Sequence, residues 1–170
     1  MPVFIIIWSI WFLSEILLNR LFHSGSHDKK NLDKGTIRII WITIGIANSL
    51  GILSAIYILL PISRNLLIPY IGLFLIISGM IFRFISILSL GRFFTVDVTI
   101  RNNHKIKKDG VYRLIRHPSY TGSIISFIGF GISLNNWISL LVICLPVIFA
   151  MLNRIKIEEK FLVKQFGMEY

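Results

Sequence analysis

The sequence predicts an all-α integral membrane fold, and two observations lead to this prediction. Of the 170 residues, 55% are hydrophobic, and the mean hydropathy is +0.75. The apolar residues lie in long uninterrupted runs, without the alternating pattern of half-buried strands. Runs of roughly 18 or more apolar residues can cross a hydrocarbon core of about 30 Å as helices, and only helices or closed barrels satisfy the backbone there. Helices are therefore predicted.

About five membrane helices can be placed on the apolar stretches 3–18, 37–60, 66–90, 119–134 and 137–152. The first is not a signal peptide, because it lacks a basic leading region and a cleavage site of small residues. The last two stretches are short, since a 16-residue helix covers roughly 24 Å. Only Asn135 and Asn136 separate them. We therefore predict a tight helical hairpin, which either crosses the bilayer or re-enters it.

Basic residues predict the orientation of the chain. Sixteen of the 18 Lys and Arg residues fall within 20–38, 92–116 and 154–164. Because short cytoplasmic loops are enriched in Lys and Arg, five crossings with the N-terminus outside place these loops and the C-terminus in the cytoplasm. The net charge of +10 then follows from the topology and from attraction to anionic lipid headgroups. This attraction contributes about 1 kcal/mol for each basic residue near the membrane surface. Nucleic acid is not a predicted partner, because no recognition module is visible. The oligomeric state is left open.

Two polar clusters flank the predicted hairpin. Residues 116–120 read Arg-His-Pro-Ser-Tyr before it, and residues 154–159 contain an arginine and two glutamates after it. Charges at a membrane edge are costly, which makes such clusters functional-site hypotheses. Pro118 fits the first turn of a helix, so we expect His117 at the N-cap. Because a tight hairpin is antiparallel, both clusters are expected at the same membrane edge.

Simpler interpretations of these residues stay open. Arg154 and Glu158 are four residues apart and could form an ordinary surface salt bridge. Tyr112 and Tyr120 could belong to an interfacial aromatic belt. Gly129 could serve helix packing or let a cofactor approach the backbone. A lone imidazole without ligand partners is a poor metal site, so no metal is predicted.

The strings GVYRLIRHPSYTG and NRIKIEEKFLVKQFGMEY, separated by the apolar hairpin, carry a resemblance. In order and spacing they resemble the isoprenylcysteine carboxyl methyltransferase family and its phospholipid methyltransferase relatives. The resemblance is specific over residues 91–170, and before them only a helical, membrane-embedded plan is shared. It implies one membrane methyltransferase domain over residues 1–170. In this division, 1–90 form a three-helix scaffold, and 91–170 form the cofactor-binding and catalytic region with a capping loop and a C-terminal helix.

The resemblance further implies transfer of a methyl group from S-adenosylmethionine to a lipid-like small-molecule acceptor, with S-adenosylhomocysteine as the product. The implied acceptor-side, catalytic residues are Arg116 and Arg154. Glu158 is implied to hold the cofactor. The full set of implied cofactor-binding residues is His104, Lys105, Ile106, Lys107, Tyr112, His117, Pro118, Ser119, Tyr120, Glu158 and Glu159.

The acceptor chemistry is less constrained than the cofactor. Paired arginines favour a carboxylate, as in an isoprenylcysteine, over the amine of a phospholipid. A membrane reductase that uses NADPH could share this helical plan. A small transporter would also explain the hydrophobicity, although transporters usually place polar groups near the bilayer midplane.

Overall fold

The regular elements of the described chain are α-helices and one short 3₁₀ helix, which confirms the predicted fold class. The computed structural model describes residues 2–21, 35–91, 94 and 107–167. Within them lie α1 (Pro2–Leu21), α2 (Thr36–Tyr57), α3 (Leu67–Leu90), a 3₁₀ helix (Gly110–Arg113), α4 (Pro118–Ser133) and α5 (Trp137–Phe166).

Successive helices run up and down through one bundle. Trp8 near the start of α1 donates from Nε1 to Ser133 Oγ at 3.0 Å, at the last residue of α4. Glu15, two turns further along, reaches α3 close to where that helix ends. We call the end of the bundle that holds Leu21, Thr36 and Pro118 the polar end. The opposite end, with residues 58–66 and 134–136, is the turn end.

Within the described ranges, four helices are long and apolar enough to cross a membrane, namely α1, α2, α3 and α5. At 16 residues, α4 covers roughly 24 Å and is the short member of the bundle. The fifth apolar stretch was expected to be equally short, but its helix has 30 residues and continues to Phe166. Residues 153–166 contain mostly good helix formers and no glycine or proline. The helix therefore continues past the apolar stretch into this polar segment.

The predicted hairpin is present, and its turn is fastened to the connection between α2 and α3. Asn135 has φ +50°, a left-handed conformation that asparagine tolerates better than most residues. Its side chain accepts from Ser63 N at 3.2 Å and donates to Ser63 O at 2.9 Å. Asn136 caps α5 by accepting from Ser139 N at 3.0 Å, and it donates to Ile58 O. These bonds fix where α5 begins its return.

Helices α3 and α4 approach closely enough to leave no room for side chains at several glycines. A Cβ on Gly72 would lie 2.6 Å from the Gly129 carbonyl oxygen, and one on Gly122 would lie 2.8 Å from the Gly79 carbonyl oxygen. Small residues at regular spacing let membrane helices pack backbone to backbone. For Gly129, the structure therefore favours the helix-packing interpretation over a cofactor contact.

We expect Gly72→Ala to destabilise the bundle, because the added methyl group meets backbone atoms that cannot turn aside. Overpacking of this kind typically costs roughly 1–3 kcal/mol. Thermal unfolding in detergent should show a lower midpoint. Gly45→Ala is the matched control, since a Cβ there meets nothing within 4 Å. Equal midpoints for the two variants would contradict the backbone contact between α3 and α4.

Candidate functional site

The first cluster lies at the N-terminus of α4, as the position of its proline predicts. His117 is the N-cap residue and Pro118 is the first helical residue. The His117 carbonyl accepts the first helical hydrogen bond from Thr121 N at 3.1 Å. Pro118 and Ser119 are buried, so this turn is held firmly inside the polar end. Helix N-termini carry unpaired N–H groups and a partial positive charge, which favour anionic neighbours.

Two carboxylates from the second cluster flank the His117 ring. Glu159 Oε1 lies 3.3 Å from His117 Nε2, and Glu158 Oε2 lies 4.0 Å from His117 Nδ1. Both glutamates lie on the extension of α5 beyond its apolar stretch. The hairpin thus brings its two polar ends together at the polar end of the bundle. This juxtaposition was expected from the antiparallel geometry alone.

Arg154 is buried at the base of this cluster, with only 2% of its surface exposed. Its Nε donates to the Tyr120 hydroxyl at 2.9 Å, and its Nη1 donates to Thr36 Oγ1 at 2.6 Å. Burial of a guanidinium is tolerated only with good partners. A surface salt bridge is therefore not the role of Arg154. Tyr120 points inward to this arginine and is not a simple belt residue.

Tyr112 connects the 3₁₀ helix to the end of α3. Its hydroxyl donates to the carbonyl of Ser86 at 3.2 Å, and Ser86 is fully buried. Burial raises the pKa of Tyr112 to about 12, and the negative charge of Glu158 contributes in the same direction. Tyr112 is therefore near enough to feel the charge of the carboxylate that lies beside His117. The 3₁₀ helix is attached to the bundle beside the cluster.

One oxygen of Glu158 is shielded from solvent without a hydrogen bond. Among the residues that the structure describes, Glu158 Oε2 has no hydrogen-bond partner, and the 4.0 Å to His117 Nδ1 is too long for one. A buried acceptor left unpaired costs free energy comparable to a lost hydrogen bond. This oxygen therefore has hydrogen-bonding capacity that the described residues do not fill.

The other residues implied by the resemblance are arranged less compactly. Arg116 lies immediately before the α4 cap and is exposed. Lys107 forms an ion pair with Asp109, at 3.0 Å between Nζ and Oδ1. The hydrogen bond from Lys107, and then its positive charge, lower the pKa of that carboxyl group. His104, Lys105 and Ile106 lie outside the described residues.

Three polar residues of the polar end were not predicted as site residues. Thr36, at the start of α2, is buried and holds Arg154. Arg83 and Glu15 pair with each other at 3.2 Å, and Arg83 also reaches α4. Arg83 and Glu15 are unusual because charged residues are rare inside apolar runs. The sequence alone did not show that the two pair with each other. Thr36 carried no signal beyond a hydroxyl at the start of an apolar run.

Comparison with protein families gives a match that covers every residue implied for the site. The family model described as phospholipid methyltransferase matches residues 67–169. The match begins with α3 and contains α4 and α5, together with each residue implied for the site. Helices α1 and α2 lie before it.

Similar proteins are named protein-S-isoprenylcysteine O-methyltransferases. A rice protein (Oryza sativa subsp. indica), named as a probable one, is 36% identical over 61% of this chain and 55% of its own length. Form B of Arabidopsis thaliana is 40% identical over 58% of this chain and 51% of its own length. Form A of the same plant is 30% identical over 95% of this chain and 88% of its own length. The chain thus matches about half the length of the first two and most of the third.

The pKa of Tyr112 leads to a prediction about alkaline stability. An unfolded tyrosine ionises near pH 10, whereas Tyr112 in the folded protein keeps its proton up to a pKa of about 12. The folded state then holds the extra proton, so this contribution to stability is complete below about pH 10 and is lost as the pH rises through 12. Tyr112→Phe lacks the group, and its thermal midpoint should fall less steeply between about pH 10 and 12.

The same variant contains its own control. Below about pH 9, its difference from wild type records only the lost hydrogen bond to Ser86 O and is expected to be constant. Parallel curves for both proteins throughout the alkaline range would contradict the raised pKa.

Proposed function

Because the chain belongs to the isoprenylcysteine carboxyl methyltransferase family, we propose that it transfers a methyl group from S-adenosylmethionine to a carboxylate on a lipophilic acceptor. The single observation that carries the proposal is the meeting of His117, Glu158 and Glu159 directly beside the buried Arg154. Carboxylates and a buried guanidinium at one membrane edge supply separate places for a cationic cofactor and an anionic acceptor.

The residues present fit the cofactor. S-adenosylmethionine carries hydroxyl and ammonium donors and a positive sulfonium, and it supplies an activated methyl group when bound. Glu158 Oε2 is a shielded acceptor without a partner in the described part of the chain, and one carboxylate can accept from two donors. His117 Nδ1 lies 4.0 Å from it, and Glu159 lies 3.3 Å from the other nitrogen of the imidazole. Tyr112 and Tyr120 lie near enough to feel the charge of Glu158.

Further cofactor contacts are proposed from the family resemblance. Pro118 and Ser119 form the buried first turn of α4, next to His117. Lys107, with His104, Lys105 and Ile106 outside the described residues, is proposed as a cofactor contact from the resemblance alone.

Arg154 is proposed to hold the acceptor carboxylate. Its guanidinium is a permanent positive charge that attracts a carboxylate, and Tyr120 and Thr36 hold it in place through Nε and Nη1. Little acid or base chemistry is required, because a carboxylate is already a nucleophile. Holding it in line and away from water accounts for most of the rate in such a displacement. Arg116, exposed at the mouth of the cluster, would attract and orient the incoming anion.

The membrane explains how two such different substrates meet. A lipophilic acceptor can enter sideways between helices, while the charged cofactor enters from water at the polar end. We assign the polar end and the C-terminus to the cytoplasm and the N-terminus to the outside, because the helix ends that flank the basic segments lie at the polar end. The names of the relatives favour an isoprenylcysteine carried by a protein over a free small molecule as the acceptor.

Methylation of a phospholipid amine is the second candidate, and the description of the matched family model favours it. The chemistry of the cluster argues against an amine. An amine must lose a proton before it attacks, and its ammonium form is repelled by a buried guanidinium, whereas a carboxylate is attracted to it. Arg154 therefore favours the carboxylate.

The function is tested with purified protein in lipid nanodiscs and S-adenosylmethionine labelled on its methyl group. We expect label to appear in an S-farnesylated cysteine with a free carboxylate, and not in phosphatidylethanolamine. Label in the phospholipid instead would overturn the carboxylate assignment. Saturable NADPH binding without S-adenosylhomocysteine binding would indicate a reductase, and binding of neither would indicate a transporter or scaffold.

Arg154→Lys tests the role of the arginine in this reaction. The ammonium keeps the charge but lacks the planar fork, so we expect methyl transfer to the S-farnesylated cysteine to fall about 10²-fold through misplacement of the nucleophile. The affinity for S-adenosylhomocysteine should change little. Arg113→Lys, an exposed arginine at the same end, is the matched control. Unchanged turnover in Arg154→Lys would refute its role on the acceptor side.

A further inference from the structure

Arg83 joins three helices at one point inside the bundle. It lies on α3 and its side chain is 15% exposed. Its Nη2 pairs with Glu15 Oε2 on α1 at 3.2 Å. Its Nη1 donates to the Ser119 carbonyl of α4 at 3.1 Å and to Ser123 Oγ. One guanidinium therefore ties α1 and α3 to the beginning of α4.

The Ser119 carbonyl belongs to the turn that presents the site. His117 caps this turn. Tyr120 directly follows Ser119, and its hydroxyl accepts a hydrogen bond from Arg154 Nε at 2.9 Å. The turn is closed by the bond from Thr121 N to His117 O, and a closed helical turn moves as a unit. A shift of the Ser119 carbonyl would thus shift His117 and Tyr120 together.

Glu15 keeps the Arg83 side chain in this position. A guanidinium at this depth is costly without a counter-charge, and a long basic side chain can otherwise turn toward the membrane edge. The Glu15 carboxylate is 13% exposed and supplies the opposite charge at 3.2 Å. Without it, the expected response is that Arg83 leaves the Ser119 carbonyl and moves toward water.

We propose that Glu15 and Arg83 are positioning residues, which set the first turn of α4 and through it the placement of His117 and Tyr120 for cofactor binding. The proposal rests on the proposed function for its ligand. It gives α1, which lies before the region matched by the family model, a part in building the cofactor site. Neither residue touches the cofactor in this account.

Variants of the pair are expected to fold, because α1 has other attachments. Trp8 donates to Ser133 and packs edge-to-face on Phe130 with ring centroids 5.3 Å apart. Trp11 packs on Phe127 at 4.9 Å. These contacts lie closer to the turn end and do not involve Glu15 or Arg83.

The test compares Glu15→Gln with the double variant Glu15→Gln/Arg83→Gln. Removing only the acid leaves a buried cation unpaired, so Glu15→Gln should lower the thermal midpoint. Removing both charges is often close to neutral, so the double variant should regain most of that stability. If the pair had only a structural role, the affinity for S-adenosylhomocysteine would return to the wild-type value together with the stability.

Positioning predicts a different result for ligand affinity. The double variant should still bind S-adenosylhomocysteine roughly tenfold more weakly than wild type, as expected for loss of one charge-assisted hydrogen bond. Amide hydrogen exchange of residues 117–123 in the ligand-free protein should be faster than in wild type. Ser139→Ala, which removes a buried hydroxyl bonded to Gly51 O at the turn end, should lower stability while changing neither readout.

Two outcomes would overturn the proposal. The first is recovery of S-adenosylhomocysteine affinity together with stability in the double variant, and the second is wild-type exchange of residues 117–123. Failure of the wild-type protein to bind S-adenosylhomocysteine would instead reject the proposed function. The exchange measurement needs no ligand, so it tests the positioning of α4 in either case.

Discussion

The turn at Asn135 and Asn136 is the constraint on which the arrangement of the polar end depends. A 16-residue helix reaches the turn end, and two side-chain amides bind it to backbone groups of the α2–α3 connection. Because the turn is fixed, α5 returns antiparallel to α4 and passes the α4 N-terminus at a defined height. Its continuation past the apolar stretch then brings Glu158 and Glu159 to His117. A shorter α5, ending with its apolar residues, would leave the histidine without these neighbours.

The polar end also shows how a membrane bundle accommodates charge. Arg83 and Arg154 are both largely buried, and each has oxygen partners on two other helices. In surroundings of low polarity such contacts are stronger than in water, and an unpaired group is correspondingly expensive. The same physics favours a ligand donor at Glu158 Oε2, which accepts no hydrogen bond from the described residues. Packing of α3 on α4 through glycines brings the two arginine-bearing networks close to each other.

Much of this arrangement could be predicted from the sequence, for reasons that differ between elements. Long apolar runs fix the number and the approximate limits of the helices. Pro118 marks the first turn of α4 and makes His117 its cap, and the short Asn-Asn connection brings the clusters together. A C-terminal helix was predicted, but its continuity with the apolar part of α5 was not, because the hydrophobic signal stops at Leu152 while helix propensity does not. The partners of Arg83, Arg154 and Thr36 could not be predicted, because they depend on how each helix is rotated about its axis. That rotation is set by packing between residues distant in sequence, such as Gly72 and Gly122.

The central claim is that the two ends of the hairpin form one cofactor site. The most direct measurement is a double-mutant cycle for S-adenosylhomocysteine binding with His117→Ala, Glu158→Gln and the combined variant. Residues that act on one ligand in one network couple by roughly 0.5–3 kcal/mol, whereas independent sites add within about 0.5 kcal/mol. The combined variant is expected to lose clearly less affinity than the sum of the single losses. Additive losses would show that His117 and Glu158 do not share a ligand, and would contradict the account.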